Sequence, residues 1–244
     1  MKNFKLLLIC ILGTLGMNSY SSEDSLYDFL WLDPDKSVYV LQNKIYKKKN
    51  SLYLEIDGAI AFGDEFLNTN SATLKLGYYF AEEWGIELFG TKFLNSFAFN
   101  YNEIKRITSI TPFLRRPEIA AGAMLLWTPF YGKINTFNKI FYFDWGFGLG
   151  GAYLKTTSNL KTVGDNGLKE RFDDETQTAL TVKTDFKIRL SKSWHLNTEI
   201  KSFWFTGETV GRVYDPTLNR ENDPSTSKKL TDFYDFMLGI GYTF

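Results

Sequence analysis

The sequence predicts an all-β protein, an eight-stranded antiparallel up-and-down transmembrane β-barrel. Beyond residue 50 the hydrophobic residues repeat with a period of two rather than with a helical period, which is typical of strands. Eight alternating segments follow one another, each of about ten residues, the length that a tilted strand needs to cross a bilayer. Aromatic residues make up 17% of the chain, and no segment after the N-terminus is long and apolar enough for a transmembrane helix.

The composition excludes several other classes of protein. With 44% hydrophobic residues among 244, the chain has the apolar surface of a packed protein rather than a disordered one. Its 28 basic residues balance 28 acidic ones, so the charge gives no reason to expect a nucleic-acid partner. The single cysteine, Cys10, rules out a disulfide framework and a multi-cysteine metal site. We assign no catalytic, cofactor-binding or metal-binding residues and expect no enzyme.

The N-terminus has the pattern of a secretory signal peptide. Lys2 and Lys5 precede a short apolar run, and small polar residues follow it. We therefore predict a signal peptide at 1–21, a periplasmic N-terminal segment at 22–49 and the barrel at 50–244.

Residues 22–46 contain an apolar cluster ahead of the barrel. A segment this short cannot form a core of its own, and exposed apolar residues favour a contact. A short periplasmic helix, a plug at the barrel mouth and a docking peptide all fit, and we expect a periplasmic or envelope partner. The cluster consists of Leu26, Phe29, Leu30, Trp31 and Leu32.

The fifth predicted strand indicates which side of the barrel wall faces lipid and which side faces the lumen. Large apolar residues alternate with small or charged ones, for example Trp145 and Phe147 with Asp144 and Gly146. Glycine suits a crowded narrow interior, and aromatic residues suit lipid. We therefore expect the apolar side to face outward and the small or charged side to face the lumen.

The other strands follow the same rule in chain order. The first strand, at 52–62, and the second, at 73–80, place aliphatic residues outward and polar residues inward. The third, at 86–91, alternates less cleanly because a phenylalanine shares its inward side with polar residues. The fourth, at 119–127, is rich in alanine, and its facing is ambiguous. The last three strands alternate clearly, at 180–190, 196–204 and 234–244.

Short and long connections alternate between these strands. Short periplasmic turns and long extracellular loops are typical of bacterial outer-membrane barrels. The connections at 81–83 and 191–193 are tight, whereas those at 94–117, 155–176 and 207–230 are long.

Two connections and three tryptophans complete this interpretation. The connection at 128–139 is the longest of the predicted turns, and that at 63–70 is the shortest of the predicted outer loops.

Trp84, Trp127 and Trp194 lie beside the turns, where an interfacial belt of amphipathic rings is expected. Core tryptophans that happen to flank turns are the alternative.

The inward side of the predicted strands carries twelve ionisable residues, seven acidic and five basic. An eight-stranded barrel is only wide enough for side chains to fill it, and an isolated buried ion is very costly. We therefore interpret these residues as a structural network of ion pairs and hydrogen bonds, with a gated narrow pore for protons or small ions as the alternative. They are Glu55, Asp57, Lys75, Glu87, Asp144, Lys183, Asp185, Lys187, Arg189, Glu199, Lys201 and Asp235.

Basic residues also lie outside the predicted strands. The triplet at 47–49 is expected to be a solvated tether or a contact with phospholipid headgroups. His195, the single histidine, is expected at an interface or at the lumen mouth rather than in a catalytic site. The loop at 94–117 has an excess of positive charge, and because arginine binds phosphate well, we predict contact with lipopolysaccharide, with solvated charge as the alternative. The residues concerned are Lys105, Arg106, Arg115 and Arg116.

The C-terminus carries the first resemblance to a known class of protein. Residues 239–244 read GIGYTF, and Tyr242 and Phe244 look like the terminal aromatic signal that the barrel assembly machinery reads. In its ending and size the chain resembles the small bacterial outer-membrane β-barrel proteins.

A narrower resemblance is to the outer-membrane β-barrel domain family of myxobacteria and related bacteria. It is carried by VLQNK at 40–44 and by WTPFYGK at 127–133, running on to Phe143 and Asp144. The resemblance covers residues 38–244 and implies a barrel without catalytic residues. Some relatives are linked to surface motility machinery.

The favoured function is that of a non-enzymatic barrel in the cell outer membrane of a Gram-negative bacterium, with a charge-filled narrow lumen. It would act as an envelope structural, anchoring or surface-interaction protein. Its expected partners are outer-membrane lipid, lipopolysaccharide and the barrel assembly machinery, with no cofactor. A narrow channel or transport accessory for small solutes or ions is the alternative, and a lipid-modifying or proteolytic enzyme is the least supported. For the fold, a soluble lipocalin-like barrel is the alternative.

Overall fold

The computed structural model describes residues 44–108, 112–136, 139–160, 171–210 and 226–244. Within these residues, eight antiparallel strands form one closed barrel in chain order, which confirms the predicted fold class. The predicted signal peptide and most of the predicted N-terminal segment lie outside the described residues. The strands are β1 (Ser51–Phe62), β2 (Leu67–Tyr79), β3 (Trp84–Phe97), β4 (Arg115–Thr136), β5 (Lys139–Ser158), β6 (Asp173–Arg189), β7 (Trp194–Val210) and β8 (Thr226–Thr243), and one helix, α1 (Phe99–Thr108), follows β3.

The strand register gives the barrel its stagger. Leu52 of β1 pairs with Tyr78 of β2, and the paired residues can be followed from strand to strand as far as Tyr234 of β8. Tyr234 pairs with Phe62, ten residues further along β1. A stagger of this kind tilts the strands by about 35–45° and leaves an interior that side chains can fill.

Side chains alternate between an exposed apolar side and a buried side. Ile56 and Leu74 are 58% and 54% exposed, whereas the neighbouring Glu55 and Lys75 are completely buried. A barrel in water would place its apolar residues inside, so this surface suits hydrocarbon, as in a transmembrane barrel. No helix among the described residues has the length and apolar character needed to cross a membrane.

The facing of β4, ambiguous in the sequence, follows the same rule. Met124 and Leu126 are buried in the lumen, whereas Leu125 and Trp127 are exposed on the outer side. Trp127 stacks against Trp84 of β3, with their ring centroids 6.2 Å apart. The expected aromatic belt therefore includes this pair at the end of the barrel that carries the short turns.

The predicted loop at 94–117 is only partly a loop. β3 continues to Phe97, and α1 follows, which the sequence did not predict. Phe97 stacks on Tyr101 with centroids 4.5 Å apart, and Tyr101 is buried with Leu67 and Leu114. The aromatic residues of this segment therefore pack α1 against residues at the end of the barrel that carries the long connections.

The predicted turn at 128–139 is also mostly strand. β4 continues to Thr136, which pairs with Lys139 at the start of β5. A register shift between Trp127 and Phe130 accommodates Pro129, which has no N–H to donate to the sheet. The Thr-Pro step therefore produces a bulge within β4 rather than the end of the strand.

The strands also extend further than predicted at the opposite end of the barrel. β5 continues to Ser158 and β6 begins at Asp173, within the predicted loop at 155–176. Likewise β7 continues to Val210 and β8 begins at Thr226, within the predicted loop at 207–230. The hydrophobic alternation ends where the outer side becomes polar, so it cannot mark where the hydrogen-bonded ladder ends.

Candidate functional site

The eight strands bring the twelve predicted lumen residues into the interior of the barrel. Each lies on the inward side of its strand, and each is at most 6% exposed. Two features position them: the period of two, which puts every second side chain inside, and the stagger, which sets the level of each residue along the barrel axis. The lumen is therefore the candidate site.

Lys75 is the first centre of the ionic network. Its Nζ lies 2.9 Å from a carboxylate oxygen of Glu55, 2.9 Å from one of Asp57 and 2.6 Å from one of Glu199. Glu55 and Asp57 belong to the neighbouring strand β1, whereas Glu199 belongs to β7. One side chain therefore bridges the lumen, which is the close packing expected of a narrow barrel.

Lys183 is the second centre. Its Nζ lies 2.7 Å and 2.9 Å from the two carboxylate oxygens of Glu87 and 3.1 Å from Glu199. Lys201 Nζ lies 3.1 Å from the other oxygen of Glu199, and Lys187 Nζ lies 3.1 Å from Glu55. The buried carboxylates and ammonium groups thus compensate one another's charge.

Neutral side chains complete the network, and the sequence interpretation did not include them. Asn197 Nδ2 donates a hydrogen bond of 2.6 Å to Glu55, and Tyr53 donates from its hydroxyl to Glu87. His195 Nε2 lies 3.1 Å from Glu55 and is buried, as a lumen histidine is expected to be. The signal for all three was their inward position on strands that also carry the charges.

Lys48 is an unexpected member of the network. Its side chain is only 1% exposed, and its Nζ lies 2.8 Å from Asp144, which also lies 3.4 Å from Arg189. The prediction that 47–49 is a solvated triplet is therefore wrong for Lys48, although Lys47 and Lys49 are exposed. The sequence signal was indirect: seven acidic against five basic inward residues left room for a further cation.

The chain around Lys48 is held at the barrel mouth by its backbone. The N–H groups of Lys48 and Lys49 donate to the carboxylate of Glu82 in the β2–β3 turn, at 3.3 Å and 3.1 Å. Asn50 has a φ of 62°, in the left-handed region that asparagine tolerates, and its N–H donates to the carbonyl of Tyr79 at 2.7 Å. This turn directs Lys48 into the lumen.

An aromatic layer lies next to the ionic network. Phe203 is completely buried, with its ring centroid 4.8 Å from that of Phe233 and 6.2 Å from those of Phe89 and Phe93. Phe205 also lies close to Phe233, at 6.3 Å. These rings form a packed cluster inside the barrel on the side of the long connections.

Asp235 lies where the two layers meet. It pairs in register with Lys201 across the β7–β8 ladder, and it is completely buried. Within the described part of the chain, neither of its carboxylate oxygens accepts a hydrogen bond. It is therefore the carboxylate that the network compensates least.

Arg115 does not lie where the lipopolysaccharide prediction placed it. It points into the barrel, donating 2.6 Å to the carbonyl of Glu208 and lying 3.1 Å from the carboxylate of Glu175. β4 begins at Arg115 and turns its side chain inward, so the guanidinium is buried rather than exposed at the surface. Arg116, the next residue, lies 3.7 Å above the ring of Phe172.

The two other predicted rim residues lie on α1. Arg106 is exposed and pairs with Glu103 one helical turn away, at 2.6 Å. Lys105 is exposed, and its Nζ lies 5.8 Å from the ring centroid of Tyr101. Both remain candidates for a contact outside the protein.

The predicted assembly signal lies at the end of β8. Tyr242 contacts Trp194 with ring centroids 5.1 Å apart, and Phe244 with centroids 5.0 Å apart. The ring of Phe244 is 70% exposed, while its N–H donates to the carbonyl of Leu52 on β1. Among the described residues, no group of three or more histidine, cysteine and acidic side chains is arranged to hold a metal ion.

Three solved structures align with most of this chain at low sequence identity. The N-terminal β-barrel domain of Pseudomonas aeruginosa OprF aligns over 80% of this chain and 98% of its own, with 10% identity and a TM-score of 0.48. Neisserial surface protein A aligns over 80% and 100%, with 12% identity and a TM-score of 0.46. The attachment invasion locus protein Ail of Yersinia pestis aligns over 80% and 99%, with 12% identity and a TM-score of 0.44. No protein-family model matches the chain, and no curated protein matches it.

Proposed function

We propose that this chain is a non-enzymatic β-barrel of the Gram-negative outer membrane, with a closed lumen. It acts as an envelope structural, anchoring or surface-interaction protein. The observation that supports this proposal is the presence of two successive layers of buried side chains inside the barrel, one ionic and one aromatic. Lys75 bridges the first layer from β2 to β7, and Phe203 lies at the centre of the second.

The location in the outer membrane is supported by three features of the chain. Residues 1–21 read as a signal peptide, the outer side of the barrel is apolar, and the sequence GIGYTF at 239–244 resembles the aromatic signal that the barrel assembly machinery reads. The terminal aromatic residues favour recognition by the barrel assembly machinery. The narrower assignment to the myxobacterial barrel family stays a proposal, carried by the motifs at 40–44 and 127–133.

The expected partners lie at the two ends of the barrel. At the end with the long connections, Lys105, Arg106 and Arg116 are the remaining candidates for contact with lipopolysaccharide phosphates. At the end with the short turns, the predicted segment at 22–46 would meet a periplasmic or envelope protein. Both contacts are proposals.

Conductance in planar lipid bilayers tests the closed lumen. We expect the refolded protein to show no steady openings, with a porin of known conductance as the positive control. Steady openings that disappear in Lys201→Ala or Asp144→Ala would overturn the proposal, because both residues line the lumen. Ile56→Ala, a substitution on the outer face, controls for effects of altered folding.

A narrow channel or transport accessory is the second candidate. It is favoured by Asp235, whose buried carboxylate accepts no hydrogen bond among the described residues and is the kind of group that binds a mobile cation or proton. If the openings occur, their loss in Asp235→Asn with retained folding would support this candidate.

A further inference from the structure

At the end of the barrel with the short turns, β4 and β5 extend beyond their neighbours. β3 begins at Trp84, which pairs with Trp127, and β6 ends at Arg189, which pairs with Tyr142. β4 and β5 continue to pair with each other until Thr136 lies opposite Lys139. We call residues 130–136 and 139–143 the β4–β5 extension.

One face of the extension is apolar. Phe130 and Ile134 are 50% and 49% exposed, and Phe141 is paired opposite Ile134 on the same side. This side continues the outer face of the barrel, since Phe130 lies beside Trp145 with centroids 5.4 Å apart. Exposed apolar side chains therefore continue from the lipid-facing surface of the barrel onto this face of the extension.

The other face is mainly polar. It carries Tyr131, Lys133 and Asn135 on β4, with Ile140 as an aliphatic exception near the end of β5. Tyr46 packs edge-on against Tyr142 of this face, with centroids 5.3 Å apart. The chain itself thus occupies part of the polar face, and the apolar face is the one left open.

The extension leaves the barrel at the level of the aromatic belt. The N–H of Thr128, inside the bulge, donates to the carbonyl of Glu83 in the β2–β3 turn at 2.7 Å. Trp84 and Trp127 stack directly beside this hydrogen bond. Tryptophan favours the membrane–water interface, so the extension begins where lipid headgroups are expected.

We propose that the apolar face of the β4–β5 extension binds the phospholipid leaflet at this end of the barrel. The occupant is phospholipid rather than protein, because the face is continuous with the lipid-facing surface and has the same composition. The inference rests on the proposed insertion of the barrel in a membrane. In it, Phe130, Ile134 and Phe141 contact the headgroup and upper acyl region, while Lys133 faces water.

Site-directed spin labelling of single-cysteine variants tests this contact. The full chain has one cysteine, Cys10, in the predicted signal peptide, so the labelling background carries Cys10→Ser wherever that residue is retained. Ile134→Cys and Lys133→Cys place labels on opposite faces of one strand. Leu149→Cys is the lipid control, and Lys49→Cys is the water control. Each protein is refolded into vesicles of phosphatidylethanolamine and phosphatidylglycerol.

Relative accessibility to oxygen and to a nickel chelate is then measured by power saturation. We expect the oxygen-to-nickel ratio at 134 to lie below that at 149, which is deeper in the bilayer, and to be several-fold higher than that at 133, which should match 49. High nickel access at both 133 and 134 would overturn the inference. Protection of 134 from both reagents would also overturn it, since this indicates a protein contact such as a second copy. High nickel access at 149 would instead overturn the proposed membrane insertion.

Discussion

Glu55 has contacts with four side chains from three other strands. Lys75 and Lys187 compensate its charge, and Asn197 and His195 lie within hydrogen-bonding distance. Its inward position could be predicted, because a period of two assigns a face to each residue. Its partners could not, because they depend on the stagger and on which side chains span the lumen. The sequence therefore predicted which ionisable residues of the strands face the lumen, but not their pairing, the neutral members or the inclusion of Lys48.

Substitution of Glu55 is expected to be costly, and substitution of Asp235 is not. Glu55→Gln leaves two buried ammonium groups with fewer counter-charges, and we expect a loss of about 3 kcal/mol in the free energy of unfolding. Asp235→Asn removes a buried charge without a hydrogen-bond partner among the described residues, so we expect no loss or a gain. Urea unfolding of the refolded proteins in vesicles measures both. Equal losses would contradict this account of the network.

Lys48→Met should destabilise the barrel although it lies outside the strands. Among the described residues it leaves Asp144 with Arg189 as its remaining ion-pair partner, and we expect a loss of about 3 kcal/mol in the free energy of unfolding. Lys49→Met, at an exposed neighbouring position, is the matched control and should change little. Adding Asp144→Asn to Lys48→Met should restore part of the loss. If Lys48→Met and Lys49→Met behave alike, the buried ion pair does not contribute to stability.

At the scale of the elements, the strands could be predicted where lipid faces them. The alternation of β1 marks both ends of that strand within one residue, whereas that of β8 marks only its C-terminal end, because apolar residues end where the membrane ends. α1 could not be predicted, since its residues alternate as a strand would and their helical packing depends on Leu67 and Leu114. The extended pairing of β4 with β5 could not be predicted, because Pro129 is typical of a turn.

Packing between β8 and β1 leads to a prediction on two glycines. A Cβ at Gly239 of β8 would meet the carboxylate of Asp57 and the backbone carbonyl of Ile56, whereas a Cβ at Gly58 would meet nothing within 4 Å. We expect Gly239→Ala to lower the free energy of unfolding by about 1–3 kcal/mol through overpacking. Gly58→Ala is the control and should stay close to the wild type. The temperature at which the folded band disappears in unheated gels gives the ranking, and an equal effect of both would contradict the crowded interior.

At the scale of the whole molecule, the barrel is apolar outside and charged inside. The sequence alone predicts this arrangement once the outward side of one strand is known, because the neighbouring strands show the same alternation of apolar and polar residues. The aromatic cluster of Phe203 and its neighbours inside the lumen could not be predicted in the same way. Phe89 made the third predicted strand look irregular, whereas Phe203 lay in a strand that alternates clearly, and the role of both is apparent only when rings from several strands meet.

Tryptophan fluorescence tests the outer surface as a whole. Trp84, Trp127, Trp145 and Trp194 are all between 40% and 47% exposed on the outer side of their strands. In vesicles of lipids brominated on the acyl chains, we expect strong quenching, and we expect little quenching by aqueous acrylamide. Refolding into lipids without bromine is the control. Strong acrylamide quenching with no effect of bromine would favour a water-soluble barrel.

The ion pairs between distant strands impose an order on biogenesis. Lys75 and Glu199 are separated by 124 positions in the chain, and Asn197 and Glu55 by 142. Until β8 joins β1, a nascent sheet would expose these carboxylates and ammonium groups to hydrocarbon, where they are poorly tolerated. Insertion and closure of the barrel therefore have to occur together. A chain that lacks its last strand is not expected to have a stable, partly assembled state within the bilayer.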